Sequence, residues 1–366
     1  MTKKLFGVWA VAGLIVSLAG STLAHDEKKT THQPGGKIER SLPVDPQATV
    51  TLCVESGTLS VHGWDKNEIR VRSTDAAQIE FRRIDKVKDM SKPAARVDVM
   101  VMDKTTAVRT RLDCQAVASV EMEVPVGATV QVQTRDGDIM IAGIAAAYAG
   151  SQNGDINIER VTKLVEAGSV GGSIALRDSS GRVNLSSAGG GIEAVNVHSA
   201  EDEDTFEVGT VSGDIQLEDV AIPKLIAKTV NGTVTMTGPL VKKGDYGFNT
   251  VTGDIVLEMP HDASFQLNAK VSEKHNIVSD FPLKYINEPP PPPKVKPKKL
   301  PEAAPPQPPA GKAQPQPKSG AVVAPIVVEK PSVSVYILRR ITAICGTGDA
   351  QISVNSFGGT VRLKKI

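Results

Sequence analysis

The stretch "TVSGDIQLEDV", residues 210–220, decides the fold. Gly213 and Asp214 read as a corner, because glycine tolerates positive φ and aspartate accepts backbone amides. Ile215 and Leu217 then alternate with Gln216 and Glu218, the pattern of a strand with one buried face. Variants of this unit recur: "RDGDIMI" (135–141), "QNGDINI" (152–158), "VGGSIAL" (170–176), "GGGIEAV" (189–195), "VNGTVTM" (230–236) and "VTGDIVL" (251–257).

Their glycines, Gly137, Gly154, Gly172, Gly191, Gly213, Gly232 and Gly253, are 17, 18, 19, 22, 19 and 21 residues apart. A recurrence of about twenty residues is the mark of a stacked solenoid. Between glycines lies a second short strand, such as "KLVEA" (163–167), "GRVNL" (181–185) or "KLIAK" (224–228), which leaves no room for a helix. The chain is therefore expected to be all-β, a β-solenoid of coils of about 20 residues. Ile139, Ile156, Ile174, Ile192, Ile215, Val234 and Ile255 form its inward ladder. Seven such coils would make a rod roughly 30–35 Å long.

Working outward, residues 37–125 also alternate apolar with polar residues, as in "TVTLCV" (49–54) and "VEMEV" (120–124), and are expected to continue into the repeat region 126–285. Residues 286–331, "INEPPPPPKVKPKKLPEAAPPQPPAGKAQPQPKSGAVVAPIVVEKP", form a Pro-rich insertion, expected to be disordered or an extended spacer. Strand pattern resumes over 332–366 and completes the solenoid. At the other end, Lys3 and Lys4 precede an apolar run closing in Ser21-Thr22-Leu23-Ala24, which predicts a secretory signal peptide over 1–24, followed by a polar lead-in over 25–36. The expected location is thus exported: periplasm, outer envelope or extracellular, with no transmembrane span in the mature chain.

Removal of residues 1–24 leaves 40 basic against 41 acidic residues, a balance that argues against a nucleic-acid partner. Aromatic residues make up only 4% of the chain, which suits stacked aliphatics and offers few platforms for sugars. Three cysteines enter an oxidising compartment, so one internal bridge, with Cys53–Cys114 the nominated pair, and three reduced thiols are both open.

No metal, nucleotide or hydrolase motif is present in the sequence: the six histidines are scattered, and no HExxH, CxxC, GxSxG or Walker pattern occurs. No cofactor and no catalytic residue is expected. The Gly-Asp pairs read first as corners. Their alternative is a column of carboxylates, Asp138, Asp155, Asp214, Asp254 and Asp349, able to hold a hard cation, although Ser173, Glu193 and Thr233 interrupt it. Arg177, Asp178 and Arg182 would be the groups of a polysaccharide-acting enzyme, and the acidic run Glu201–Asp204 with Glu207 reads as an exposed loop. Lys294, Lys296, Lys298 and Lys299 in the Pro-rich segment are candidates for contact with an anionic envelope polymer.

The order "VHGWDKNEIRV" (61–71), "VEMEVPVGATVQVQTRDGDI" (120–139) and the "TVTGDIVL"-like units resembles the bacterial "putative adhesin" family, domain of unknown function 4097. The resemblance covers most of residues 37–285 and resumes near 332. It implies a secreted or envelope-attached β-solenoid without known catalytic residues. The function expected is a non-catalytic adhesin or scaffold contacting an envelope polymer or protein. An envelope sensor or ligand-binding module and a polysaccharide-acting enzyme are the alternatives.

Overall fold

The structure, a computed structural model, describes residues 37–84, 92–102, 114–272, 277–287 and 338–366. The expected signal peptide and lead-in over 1–36 and all of the expected Pro-rich insertion but Ile286 and Asn287, including the candidate lysines Lys294, Lys296, Lys298 and Lys299, lie outside the described residues. The N-terminal part contributes β1 (Ile38–Ser56), β2 (Leu59–Trp64), β3 (Glu68–Ser73), β4 (Gln78–Arg83), β5 (Ala94–Met102) and β6 (Val120–Pro125). The repeat region contributes β7 (Thr129–Asp136), β8 (Ile139–Ala142), β9 (Ala146–Ser151), β10 (Ile156–Glu159), β11 (Leu164–Ser169), β12 (Ile174–Ser180) and β13 (Arg182–Ser187). It continues through β14 (Ile192–His198), β15 (Thr205–Ser212), β16 (Ile215–Ala221), β17 (Lys224–Asn231), β18 (Val234–Thr237), β19 (Asp245–Thr252) and β20 (Ile255–Met259). The last strands are β21 (Phe265–Ser272), β22 (Ile277–Ser279), β23 (Lys284–Asn287), β24 (Leu338–Cys345), β25 (Ala350–Ser356) and β26 (Val361–Lys365).

Pairing sorts them into two facing walls of a β-solenoid. The front wall runs β6, β2, β8, β10, β12, β14, β16, β18, β20, β26, β22, every neighbour parallel. The back wall runs β5, β1, β7, β9, β11, β13, β15, β17, β19, β25, β21, again all parallel. Each coil is one back strand followed by one front strand, and from β1–β2 and β7–β8 through β19–β20, and again at β25–β26, a glycine stands at the corner between them. Among the described residues eleven coils stack, not the seven counted from sequence, which at ~4.8 Å per step gives a rod of roughly 50 Å.

The extra coils escaped the sequence count because the ends are not stacked in chain order. The coil β1–β2 sits between β5–β6 and β7–β8, although β5 and β6 follow it in the chain. At the far end the last coil, β25–β26, sits between β19–β20 and β21–β22. Antiparallel strands then cover three of the four wall edges: β3 on β6, β4 on β5, and β24 with β23 on β21. Covered edges deny another chain an open strand to pair with.

The core between the walls follows from the alternation. Ile139, Ile156, Ile174, Ile192, Ile215, Val234 and Ile255 are buried and in direct register, and Leu59, Val120 and Val361 extend the ladder. Side-chain volume tracks coil length. The 17 residues from Gly137 to Gly154 carry Ala147 and Ala149 inward, whereas the longer coils carry Phe206, Tyr246 and Phe248. Tyr246 keeps its buried hydroxyl satisfied by accepting the Val241 amide at 2.7 Å, and burial pushes its phenol above the usual range.

Candidate functional site

The glycine corners are built for close approach more than for positive φ. Of the column Gly137, Gly154, Gly172, Gly190, Gly213, Gly232, Gly253 and Gly359, only Gly253 has a positive φ. A Cβ on Gly172 would lie 2.1 Å from the Gly154 carbonyl oxygen of the preceding coil, so nothing larger fits. The fourth corner glycine is Gly190, not Gly191. Gly190 abuts the Gly172 backbone, Gly191 takes the column position beside Ser173 and Asp214, and Glu193, opposite Ala175 and Gln216, lies two residues past it.

Three residues before most of these glycines stands a buried hydroxyl, a signal in the sequence that periodicity alone passed over. Ser151, Ser169, Ser187, Thr210, Thr229 and Thr250 each donate to the corner carbonyl of the previous coil at 2.9–3.3 Å. Ser151, Ser169 and Ser187 also accept their own corner amide at 2.9 Å. The pattern Ser/Thr-x-x-Gly-x-Ile/Val is thus a closed set of bonds inside the stack, satisfying backbone groups that burial would otherwise penalise.

The aspartates are spent in the same way on the outside of the corner. Asp138 accepts the amide of Asp155 at 2.9 Å, Asp155 that of Ser173 at 2.8 Å, Asp214 that of Thr233 at 2.7 Å, and Asp254 that of Thr360 at 2.8 Å. Asp254 also pairs with Arg362 at 2.7 Å. Asp349 does not belong to the column. It precedes β25 on the back wall, where Thr347 donates to it at 2.8 Å, and Thr360 occupies the column in the last inserted coil. Among the described residues no three His, Cys, Asp or Glu side chains converge as a metal site.

The remaining sequence candidates are separated. Arg177 pairs with Glu193 at 2.9 Å on the front wall, Asp178 sits at the second corner with φ 49° and accepts from Asn196, and Arg182 opens a back-wall strand. The acidic run is only partly exposed: Asp204 is buried and its carboxylate accepts the amides of Ala200 and Glu201, both at 2.7 Å. Cys53 and Cys114 are joined by a disulfide. Cys345 is a buried free thiol whose pKa burial raises.

A charged cleft at the N-terminal end of the front wall had no motif to announce it. It has a volume of about 440 Å³ and is lined among others by Lys37, Ser60, His62, Arg72, Glu121 and Met140. Lys37 pairs with Glu121 at 3.2 Å, Arg72 with Glu39 at 2.9 Å, and Arg70 with Glu123. The bond from Arg70 holds the Glu123 carboxyl below the usual range, against the effect of burial, with Arg72 adding to it. The Arg70 guanidinium also lies 4.5 Å from the Trp64 ring centre, and the indole donates to the Glu68 carbonyl at 2.7 Å. Ser60 Oγ and His62 Nε2 are 3.0 Å apart. The carboxylate opposite His62 in the ladder, Glu123, is already committed to two arginines.

The profile of a family described as Toastrack DUF4097 matches residues 36–275. Solved structures that match the chain include a "putative lipid binding protein" from Parabacteroides distasonis, 14% identical, covering 62% of this chain and 91% of that one, with a TM-score of 0.39. A "putative adhesin" from Parabacteroides merdae is 12% identical over 62% of this chain and 90% of that one, with a TM-score of 0.38. Another from Bacteroides fragilis is 11% identical, covers 90% of this chain and 97% of that one, and has a TM-score of 0.33. No curated protein matches in sequence. Among the described residues no helix is long and apolar enough to cross a membrane.

Proposed function

We propose that this chain, which belongs to the Toastrack DUF4097 family, is an exported, non-catalytic scaffold of the cell envelope that holds a lysine-bearing segment against an anionic envelope polymer. The observation that carries this reading is the use made of the recurrent polar residues. Asp138, Asp155, Asp214 and Asp254 and the buried hydroxyls tie coil to coil, so the motif that dominates the sequence builds a rigid rod. A rod with two long outer walls suits display more than turnover.

The contact element in this reading is the run Lys294, Lys296, Lys298 and Lys299, set among prolines that favour an extended backbone. Residues 288–337 depart after β23 and return at β24, both at one end of the rod. The test is co-sedimentation of the full chain with isolated envelope fractions, beside a variant with these four lysines changed to glutamate. Sedimentation of the natural chain and its loss in the variant supports the reading. Absence of sedimentation in both, or full retention in the variant, sinks it.

A second reading has its own observation. The cleft lined by Lys37, His62, Arg72 and Glu121 is large enough for a small polar ligand, which fits an envelope ligand-binding module. That reading requires a ligand that raises the melting temperature of the full chain and loses its effect when Arg72 is replaced.

A further inference from the structure

The residue that follows each buried hydroxyl of the corner points outward, and over the C-terminal half of the rod it is apolar. Val170, Val211, Val230, Val251 and Phe357 are 40–59% exposed, and exposed Ala188 fills the remaining coil. Register places them side by side: the bonded pairs Thr210 with Thr229, Thr229 with Thr250, and Thr250 with Ser356 put Val211, Val230, Val251 and Phe357 on successive rungs. The residues after them, Gly171, Gly189, Ser212, Asn231, Thr252 and Gly358, carry no charge. Single exposed valines need no explanation, but a continuous neutral row over six rungs does.

The row has a direction. Toward the N-terminus it gives way to Gln152 and then to the Arg135–Glu55 ion pair. Toward the C-terminus it runs to the point where the chain re-enters the fold. Ser356 lies opposite Val271, and the next residue, Ser272, is bonded opposite Leu338, itself 40% exposed. Leu338 is the first described residue after the long segment, and β24 runs antiparallel, so the chain arrives at Leu338 from the glycine-corner edge.

We propose that the row Val170–Phe357 is the docking surface for residues 321–337 of the same chain. That stretch, "AVVAPIVVEKPSVSVYI", is the apolar end of a segment whose preceding part is rich in proline and lysine. Its first eight residues carry no charge, matching the neutral row. Seven steps of ~4.8 Å separate Leu338 from Val170, roughly 34 Å, and seventeen residues at ~3.3 Å reach roughly 55 Å, so the stretch covers the row without strain. Docked in this way, the returning arm is fixed along one edge and the lysines at 294–299 are carried on the outgoing arm. The docking stands whether or not those lysines bind a polymer.

The experiment reads access to the row. Val230→Cys is introduced into the full chain, where Cys53 and Cys114 are bonded and Cys345 is buried. Its maleimide labelling rate is compared with that in a chain also carrying serine at Val322, Val323, Ile326, Val327 and Val328. Val126→Cys, an exposed site at the other end of the rod, is the control for global change. The expected result is labelling at Val230→Cys about tenfold slower with the natural segment than with the serine variant, at all protein concentrations, with Val126→Cys unchanged. Equal rates with and without the natural segment overturn the proposal. Protection that disappears on dilution also overturns it, since a second copy would then be the cover.

Discussion

The Oδ1 atom of Asp155 accepts the backbone amide of Ser173, one coil along, at 2.8 Å. The same carboxylate could be read as a cation ligand, and the two roles respond differently to substitution. If the bond to the amide is what matters, Asp155→Asn keeps the acceptor and stays within about 0.5 kcal/mol of the natural chain, while Asp155→Ala loses about 1 kcal/mol. Millimolar calcium should leave all three urea midpoints unmoved. A calcium-dependent gain in the natural chain that asparagine abolishes would return the column to cation binding.

Ser169 makes two buried bonds, donating to Gly154 O at 3.2 Å and accepting from Gly172 N at 2.9 Å. Alanine there leaves both backbone groups unpaired beneath the corner, a loss of about 1–3 kcal/mol. Threonine, which nature uses at Thr210 and Thr229, should cost less than about 1 kcal/mol. Chemical denaturation of the two variants checks the order, and an alanine variant as stable as threonine would mean the hydroxyl column is dispensable.

Much of the fold is legible because the solenoid repeats a local rule. The isoleucine ladder follows from alternation at Ile139, Ile156 and Ile174, and the register of one coil predicts the next. Where the local rule is degenerate the reading slips. Gly189, Gly190 and Gly191 cannot be ranked by composition, and only Ser187, three residues earlier, fixes Gly190 as the corner. Asp349 follows a glycine as Asp214 does, but Gly348 is a positive-φ turn into the back wall, so the same dipeptide serves a different corner. The swapped end coils rest on pairings between residues far apart in the chain, such as Leu59 with Val120 and Ile255 with Val361, which no local pattern encodes. The charged cleft gathers Lys37, Arg72 and Glu121 from three strand regions and is invisible for the same reason.

Acid should act first at the N-terminal end of the rod. The Arg70 bond lowers the Glu123 pKa in the folded chain, so the unfolded chain takes up its proton first as pH falls. The contribution is therefore present above the ordinary glutamate value of about 4.3 and is lost as pH falls through the lower folded value. Glu123→Gln should melt below the natural chain at neutral pH, with the gap closing under acid conditions. Melting curves from pH 2 to 8 that stay parallel would show that the pair contributes nothing to the acid limb.

The disulfide acts on the coil that is out of chain order. Cys53 lies on β1, in the coil held between β5–β6 and β7–β8, and Cys114 lies on the approach to β6. Closing a loop with a sequence separation of 61 removes chain entropy worth about 4 kcal/mol in the unfolded state. Because that loop contains β2 to β5, the constraint falls on the end coils, while β11 to β20 are held by bonds between sequential neighbours. Reduction should therefore strip hydrogen-exchange protection from β2, β5 and β6 and leave the middle coils protected. A uniform loss along the rod would mean instead that the stack unfolds as one unit and the bridge stabilises all of it; no change would mean that the swapped coil is held by packing alone.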